Sequence, residues 1–187
     1  AMALPLSCGA ADCYGPPLRE QRTLLPAMTE IPTPLELPPA TVKPEWIDFN
    51  GHMNVAYYLL AMDEASETLD ELLGLSYEYR ETTSNGTFAG DIHIAYLREV
   101  KEGDLLRMTG RVIACDSKRV HCWIEMYHAT EGFLSATMEK MVLHVDMSVR
   151  RVAPMAPDHV AWIEQVRDAH AALPLPDGLG KVMRIPT

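Results

Sequence analysis

The sequence predicts an α+β domain in which an antiparallel sheet is wrapped round one long central helix. Residues 54–73 carry apolar side chains at helical spacing, and the first half of this segment is apolar on nearly every side. That pattern is typical of a helix enclosed by protein. From Thr87 onward, four β-rich segments follow, with turn signals between them and no helix-length interruption. A long buried helix followed by antiparallel strands favours a curled sheet packed around that helix.

Length and charge narrow the class of protein. The chain has 187 residues, 48% of them hydrophobic, which suits one globular domain with a substantial core. Its 16 basic and 26 acidic side chains give a net charge of −10, which argues against a nucleic-acid partner and suits a cationic ligand better. No run reaches the roughly 18–20 apolar residues that span a bilayer, and no secretory signal is recognisable. We therefore expect a cytoplasmic protein with no membrane partner.

The four cysteines do not form a metal-binding pattern. Cys8 and Cys13 lie near the start, and Cys115 and Cys122 lie on either side of an expected hairpin turn. Neither pair has CxxC spacing or a histidine at the distance of a metal site. They are interpreted as ordinary thiols, and no metal is expected.

The domain organisation follows from the distribution of proline. Residues 1–40 contain eight of the fourteen prolines and no hydrophobic period, so they are predicted to form an extended arm with little structure. Residues 41–187 are predicted to form the folded domain, closed by a helix at about Asp158–Leu173 and a tail. Ala40–Ile47 is the expected first strand, and the polar residues 75–85 are expected to be irregular.

The remaining strands are predicted to form an antiparallel meander, each joined to the next by a turn. One sheet with one helix leaves a sheet edge uncovered. A second copy is therefore expected to pair edge to edge, in a homodimer or homotetramer. The predicted strands are Phe88–Leu97, Leu105–Cys115, Arg119–Ala129 and Phe133–Val145.

A polar turn directly before the central helix holds the densest group of chemically useful side chains. In the segment DFNGHMN, Asp48, Asn50 and His52 supply a carboxylate, an amide and an imidazole, and Asn54 stands at the helix start. Asn54 is predicted to be the N-cap, and Gly74 to lie just beyond the C-terminus.

The segment DFNGHMNVAYY resembles the DxNGHxNNxxY signature at the start of the central helix in acyl-CoA thioesterases of the 4-hydroxybenzoyl-CoA thioesterase superfamily. These enzymes have the hotdog fold, the arrangement predicted above. Plant acyl-carrier-protein thioesterases carry a similar DxNxH followed by a glutamate, and YLRE, which ends at Glu99, is similar to that later element.

The resemblance extends to one branch of the superfamily and covers about residues 41–157. It is carried by PEWIDFNGHMN, DIHIAYLREVKEGD, DSKRVH, EKMVLHVD and RRVAP, which look like the carnitine-catabolic thioesterases that cleave betainyl-CoA. The chain departs from the pattern in two ways. Val55 stands where many members have a second asparagine, and the N-terminal arm is long.

The resemblance implies roles for the residues of the turn. Asp48 matches the catalytic carboxylate, acting as the base that activates water or as the nucleophile that forms an anhydride. Asn50 would hold the water or the thioester carbonyl, and His52 would orient a carboxylate or donate a hydrogen bond. Glu99 would be the second carboxylate, on an adjacent strand or the other subunit.

Free backbone N–H groups at the helix start, around Asn54 and Val55, would stabilise the negative charge that develops on the carbonyl oxygen. Each candidate also has a structural interpretation. Asp48 could make a plain Asx turn, Asn50 and His52 could be satisfied turn residues, and Glu99 could be a charged strand end.

Further residues are candidates for binding substrate. The aromatic side chains could surround a quaternary ammonium acyl group, although such residues more often lie in a core. Lys118 and Arg119 could bind CoA phosphates at a dimer edge, or form a solvated turn. His93 and His144 are expected to pack within the sheet. The aromatic candidates are Trp46, Tyr57, Tyr58, Tyr96 and Trp123.

Three functions remain open at this point. The first is an acyl-CoA thioesterase for a small acyl group, with the CoA thioester as substrate and no separate cofactor. The second is a non-catalytic acyl-CoA sensor or interaction module with the same fold, which has no need of a carboxylate at Asp48. The third is a hydratase or dehydratase, whose motif is not recognisable in this sequence.

Overall fold

The structure is a computed structural model that describes residues 25–26, 30–183 and 185. Cys8, Cys13 and most of the predicted arm lie outside the described residues. The elements in chain order are β1 (Leu35–Thr41), a 3₁₀ helix (Pro44–Trp46), α1 (Val55–Leu72), α2 (Tyr77–Thr83), β2 (Asn85–Tyr96), β3 (Leu105–Cys115), β4 (Arg119–His128), β5 (Leu134–Asp146), β6 (Arg151–Val152) and α3 (Pro157–His170).

The strands form one antiparallel sheet in the order β1-β3-β4-β5-β2, with β6 beside β5. The meander from β3 to β5 is confirmed, but the predicted link between β2 and β3 is wrong because β2 pairs with β5 at the far side of the sheet. The turn before β3 is instead fastened to the end of β1, where the Gly103 N–H donates to the Val42 carbonyl at 2.9 Å. A turn signal shows where the chain reverses, and it does not show which strand the next segment joins.

The first strand lies earlier than Ala40–Ile47, so that prediction is wrong. β1 pairs with β3, and Leu35 and Leu37 alternate into the core. The register of β1 shifts between Leu37 and Ala40, where two prolines interrupt the ladder. Proline is tolerated at a sheet edge because one side of that strand needs no N–H donor. Two of the eight prolines that suggested an unstructured arm therefore belong to an edge strand.

The central helix begins and ends close to its predicted limits. The Asn54 side chain accepts a hydrogen bond from the Ala56 N–H at 3.0 Å, and Gly74 follows the helix with a φ of 71°. Tyr58 and Met62 pack against the sheet and are 4% and 0% exposed. These contacts confirm the fold prediction of a helix packed in a curled antiparallel sheet.

The expected enclosure of α1 on all sides is wrong for a single chain. Val55, Leu59 and Leu60 are 56%, 36% and 40% exposed. The sheet covers one side of the helix, and these three residues point away from it. The first half of α1 therefore has two apolar faces. One packs against the sheet, and the other is exposed to solvent.

The segment predicted to be irregular contains the short helix α2, capped by the Ser76 side chain, which accepts from the Tyr79 N–H at 3.4 Å. Tyr79 is buried, and its hydroxyl lies 2.9 Å from Nε2 of His144. His144 is thus a packed residue, as expected. No helix in the described part of the chain is long and apolar enough to cross a membrane.

Candidate active site

The turn before α1 is closed by three hydrogen bonds that involve Asp48. Its backbone N–H donates to the His52 carbonyl at 3.1 Å, and its carbonyl accepts from the Gly51 N–H at 3.0 Å. One carboxylate oxygen, Oδ1, accepts from the Asn50 N–H at 2.8 Å. Gly51 has a φ of 80°, a left-handed conformation that favours glycine. The Asx turn thus exists and fixes the carboxylate while leaving Oδ2 available.

A buried floor supports this turn. The Met53 N–H donates to the Val100 carbonyl at 2.9 Å, and the Asn54 N–H donates to the Trp46 carbonyl at 2.9 Å. Met53, Val100 and Trp46 are almost completely buried. The reactive side chains therefore stand on a backbone that packing holds in place.

The helix start has one free donor. The Ala56 N–H is used by the Asn54 side chain, and the Tyr57 N–H donates to the Asn54 carbonyl at 3.0 Å. The Asn54 N–H is also occupied, because it is bonded to Trp46. Among the described residues, the Val55 N–H has no hydrogen-bond partner, and Val55 is more than half exposed. Of the donors predicted around Asn54 and Val55, Val55 is the one that can bind a substrate oxygen.

Asn50 is exposed and His52 is half-buried at the same turn. The His52 Nδ1 lies 3.3 Å from the Met53 carbonyl, a contact that requires a proton on Nδ1 and leaves Nε2 as an acceptor in the neutral ring. The structure therefore brings together Asp48, Asn50 and His52 within one turn of backbone at the start of α1.

Glu99 lies at the same end of the molecule. It follows β2, next to Val100, which is bonded to the turn. Its carboxylate is 3.7 Å from Lys101 Nζ, and the side chain is 55% exposed. Its charge helps to raise the pKa of Tyr58, after the larger effect of burial, so it lies near the first turns of α1.

Four of the five aromatic candidates meet beside the helix start. Trp46 stacks on Tyr57 with ring centroids 5.5 Å apart, and Tyr58 meets the edge of Tyr96 at 5.2 Å. The Tyr96 hydroxyl donates to the carbonyl of Val55 at 3.1 Å. Trp46 and Tyr58 are buried, whereas Tyr57 is half-buried and Tyr96 is about half exposed. Only the latter two offer ring surface to a ligand.

Trp123, the fifth aromatic candidate, does not join this group. Along β4 it alternates with the core residues Cys122 and Ile124, and it lies on the opposite face of the sheet near Gly178 of the C-terminal tail. Its Nε1–H donates to Glu125 at 3.1 Å. The alternation along β4 predicts that Trp123 lies on the face opposite Cys122 and Ile124. It does not predict which of the two faces packs against the helix.

Lys118 and Arg119 lie far from Asp48 within one chain. They form the β3–β4 hairpin turn, and Arg119 is ion-paired with Asp116. The Lys118 carbonyl accepts from His144, which pairs with Thr87 near the beginning of β2. Thr87 and Tyr96 are about 30 Å apart along that strand, at roughly 3.3 Å per residue. A single chain therefore cannot bring the hairpin to the turn.

The cavities described in the structure do not contain the predicted catalytic residues. One cavity of about 420 Å³ lies at the other end of α1, between Asp70, Arg80 and Phe88. Within the described residues, no group of three or more His, Cys, Asp or Glu could hold a metal ion. The turn of Asp48 stands instead on an open surface beside the exposed side of α1.

Sequence reasoning missed the residues that support the site. Val100 lies in a segment that carries the family resemblance but has no reactive side chain, and Ser135 lies outside the segments that carry the resemblance. Phe49, next to Asp48, is 97% exposed, which the local sequence pattern does not predict for a phenylalanine. Their positions depend on which strands meet at this edge, which the local pattern did not reveal.

Comparisons with known proteins agree with this geometry. Residues 42–163 match the profile of the thioesterase-like superfamily. A betainyl-CoA thioesterase of Pseudomonas aeruginosa is 35% identical over 159 residues, which is 85% of this chain and 98% of that protein. An L-carnitine dehydrogenase/betainyl-CoA thioesterase of Rhizobium meliloti is 32% identical over 79% of this chain and 30% of that protein.

A solved structure supports the same placement. A hypothetical protein of Staphylococcus aureus in complex with CoA superimposes with a TM-score of 0.75 at 25% identity, covering 84% of this chain and 100% of that one. The recognised family, the hotdog fold and the assignment as a thioester hydrolase are thereby confirmed. This chain belongs to the thioesterase-like superfamily.

Proposed function

We propose that the protein hydrolyses a small acyl-CoA, with betainyl-CoA as the favoured substrate, by carboxylate-assisted attack on the thioester carbonyl. The observation that carries the proposal is that the turn fixing the Asp48 carboxylate leads directly into an exposed helix start, where the Val55 N–H has no partner among the described residues. A proton acceptor beside an oxyanion donor is what acyl transfer requires.

In the proposed reaction, Val55 N–H donates to the carbonyl oxygen as negative charge develops there. Oδ2 of Asp48 takes a proton from water, whose oxygen bonds to the carbonyl carbon, or attacks that carbon itself to give an anhydride that water then opens. The carbon–sulfur bond breaks, and CoA leaves as the thiol after protonation. Asn50 and His52 orient the attacking group, and Glu99 adds a second carboxylate. No cofactor is needed beyond the CoA thioester substrate.

A second copy completes the site in this proposal. β2 is an edge strand of 12 residues, and beside it α1 exposes Leu59 and Leu60. Two-fold pairing of β2 with its copy is antiparallel, so the beginning of one β2 lies near the end of the other. That arrangement would bring the hairpin with Lys118 and Arg119 of one subunit toward the Asp48 turn of its partner, where the basic side chains could bind CoA phosphates.

The preference for betainyl-CoA rests on two observations. The Pseudomonas aeruginosa and Rhizobium meliloti relatives carry betainyl-CoA thioesterase in their names. In this chain, Tyr57 and Tyr96 offer partly exposed ring surface beside Val55. Aromatic faces can replace the hydration of a fixed positive charge, and the chain as a whole is acidic.

Replacement of Asp48 separates an enzyme from an acyl-CoA sensor. Asp48→Asn should lower the rate of thiol release by about 10²–10⁴-fold while acyl-CoA binding persists, because the change removes a proton acceptor without changing volume. Asp146→Asn is the matched control, since Oδ1 of Asp146 accepts from Ser148 N–H at 2.8 Å in the same i+2 geometry. If Asp48→Asn kept more than about half of wild-type turnover, Asp48 could not contribute the rate enhancement expected of a catalytic base. The acyl-CoA sensor would then become the better interpretation.

A further inference from the structure

The segment Leu97–Val100, which carries Glu99, is held by a buried serine of β5. Ser135 is 0% exposed. Its carbonyl accepts from the N–H groups of Leu97 and Arg98 at 2.9 and 3.1 Å. Its Oγ donates to the Arg98 carbonyl at 2.7 Å. Ser135 thus binds both backbone polar groups of Arg98, the residue that precedes Glu99.

A buried tyrosine of α1 holds the other side of Glu99. Tyr58 is 4% exposed, and its hydroxyl lies close enough to the Val100 backbone and the Ser135 side chain for both to lower the pKa of Tyr58. Burial raises the pKa of Tyr58 and outweighs the lowering effect of these two neighbours. Val100 in turn accepts from Met53 at 2.9 Å. The backbone on the two sides of Glu99 is therefore held by Ser135 at Arg98 and by the turn that carries Asp48 at Val100.

The Glu99 side chain has little else to fix its position. It is 55% exposed, and its one ion pair, to Lys101 at 3.7 Å, is also exposed. Exposed pairs of this kind restrain a side chain weakly. The location of the Glu99 carboxylate therefore depends on where its backbone is held.

We propose that Ser135 and Tyr58 are positioning residues that hold Glu99 beside the Asp48 turn. The inference rests on the proposed function and gives Tyr58 a different role from the ligand contact that the sequence predicted. Neither side chain touches substrate in this proposal, since both are buried. A displacement of about 1 Å at a reacting group can lower a rate by about 10²-fold, so a smaller movement of Glu99 should still be measurable.

Kinetics of Ser135→Ala and Tyr58→Phe test the proposal, with the acyl-CoA that the wild type hydrolyses fastest as substrate. We expect kcat to fall by about 10-fold for each variant, with KM changed less than about two-fold, because positioning acts on the transition state. Tyr79→Phe is the matched control. It also removes a buried tyrosine hydroxyl, which lies 2.9 Å from His144, and should lower the melting temperature without changing kcat.

A double-mutant cycle with Glu99→Gln identifies the residue through which Ser135 acts. We expect Ser135→Ala to lower kcat less than about two-fold in the Glu99→Gln background, because the group that it positions has already been replaced. If the Ser135→Ala and Glu99→Gln substitutions lowered kcat independently, so that the double variant lost the product of the two single factors, the proposal would be overturned. A Glu99→Gln enzyme with wild-type kcat would also overturn it. If Ser135→Ala does not fold, Tyr58→Phe replaces it in the cycle. If activity survives Asp48→Asn, the proposed function is contradicted. If Asp48→Asn loses activity while the variants of Ser135, Tyr58 and Glu99 keep wild-type kcat, only this inference is contradicted.

Discussion

The two ends of α1 differ in how their backbone groups are satisfied. At the C-terminal end, Trp162 Nε1–H donates to the Leu72 carbonyl at 2.7 Å, and His159 Nε2 lies 3.3 Å from the Gly74 carbonyl. At the N-terminal end, the Val55 N–H is free and the neighbouring apolar side chains are exposed. One end of the helix is closed by side chains of α3, and the other is left available for chemistry.

This difference shows how a single helix can serve both stability and catalysis. Unsatisfied groups at a buried helix end are unfavourable, so packing of α3 supplies partners for the Leu72 and Gly74 carbonyls. The N-terminal donor is useful only if it stays unpaired until a substrate oxygen arrives. The predictions below test whether the two ends are independent, beginning with the largest expected effect.

Removal of the free donor should cause the largest loss among the changes made to α1. Val55→Pro deletes the N–H, and proline is tolerated at the first helical position. Asn54 already has the extended φ and ψ of −66° and 144° that a following proline favours, and α3 of this chain begins with Pro157. We expect kcat to fall by about 10²–10³-fold, measured by thiol release, with little change in circular dichroism or melting temperature. Val55→Ala, which retains the donor, should remain within about three-fold of the wild type.

Disruption of the exposed face of α1 should separate the subunits. Leu60→Glu places a charge where the second copy is expected to pack, and burying an unpaired charge costs several kcal/mol. Light scattering should show a monomer. Activity should fall to about one tenth of the wild-type value or below, because each site lacks its partner. Val149→Glu is the control, since Val149 is 61% exposed at another surface. A Leu60→Glu protein of unchanged mass and activity would rule out this interface.

Recognition of the acyl group should depend on Tyr57. Tyr57→Leu removes one partly exposed ring, and a cation–π contact contributes about 0.5–2 kcal/mol, or roughly 2- to 30-fold. We expect kcat/KM to fall by that factor for betainyl-CoA. It should be unchanged for 3,3-dimethylbutyryl-CoA, in which carbon replaces the ammonium nitrogen. Equal turnover of both substrates by the wild type would mean that the enzyme recognises only the size of the acyl group and not its charge.

At the C-terminal half of α1, Asp70 should affect stability and not catalysis. Burial raises the pKa of this carboxyl to about 6, with Lys140 opposing the shift and Asp63 and Glu67 adding to it. A folded pKa above the unfolded value means that the charged form destabilises the protein above pH 6, and that this penalty disappears as pH falls to about 4. Asp70→Asn should therefore raise the free energy of unfolding by about 1–2 kcal/mol at pH 7.5 and by almost nothing at pH 4.

Denaturant titrations at the two pH values measure this effect. Glu64→Gln, on the exposed side of the same helix, controls for the loss of one negative charge. Thiol release by Asp70→Asn should equal that of the wild type. A loss of activity would show that the two ends of α1 are coupled.

The sequence predicted the site better than it predicted the sheet. Asp48, Gly51 and Asn54 act through hydrogen bonds within a few residues, so local pattern was sufficient to identify the turn and the cap. β2 could not be placed, because its pairing with β5 depends on residues about fifty positions away. Ser135 was missed for the same reason, since it acts only where β5 meets the segment after β2.

Some errors had a more local cause. α2 was missed because YEYRETT carries one buried residue, Tyr79, and too little apolar pattern to indicate a helix. β1 was placed too late because Pro38 and Pro39 obscured the alternation of Leu35 and Leu37. In both cases tertiary contacts stabilise a segment whose own preference is weak.

The prolines of β1 have a consequence for how the protein assembles. An edge strand is a template for another chain, but two consecutive residues of β1 have no N–H to donate. β2, at the opposite edge of the sheet, contains no proline. Another strand can therefore add at the β2 edge more easily than at the β1 edge. In the proposed two-fold assembly, pairing of the two β2 strands would leave only the proline-containing edges free, so the sheet would stop growing at two copies.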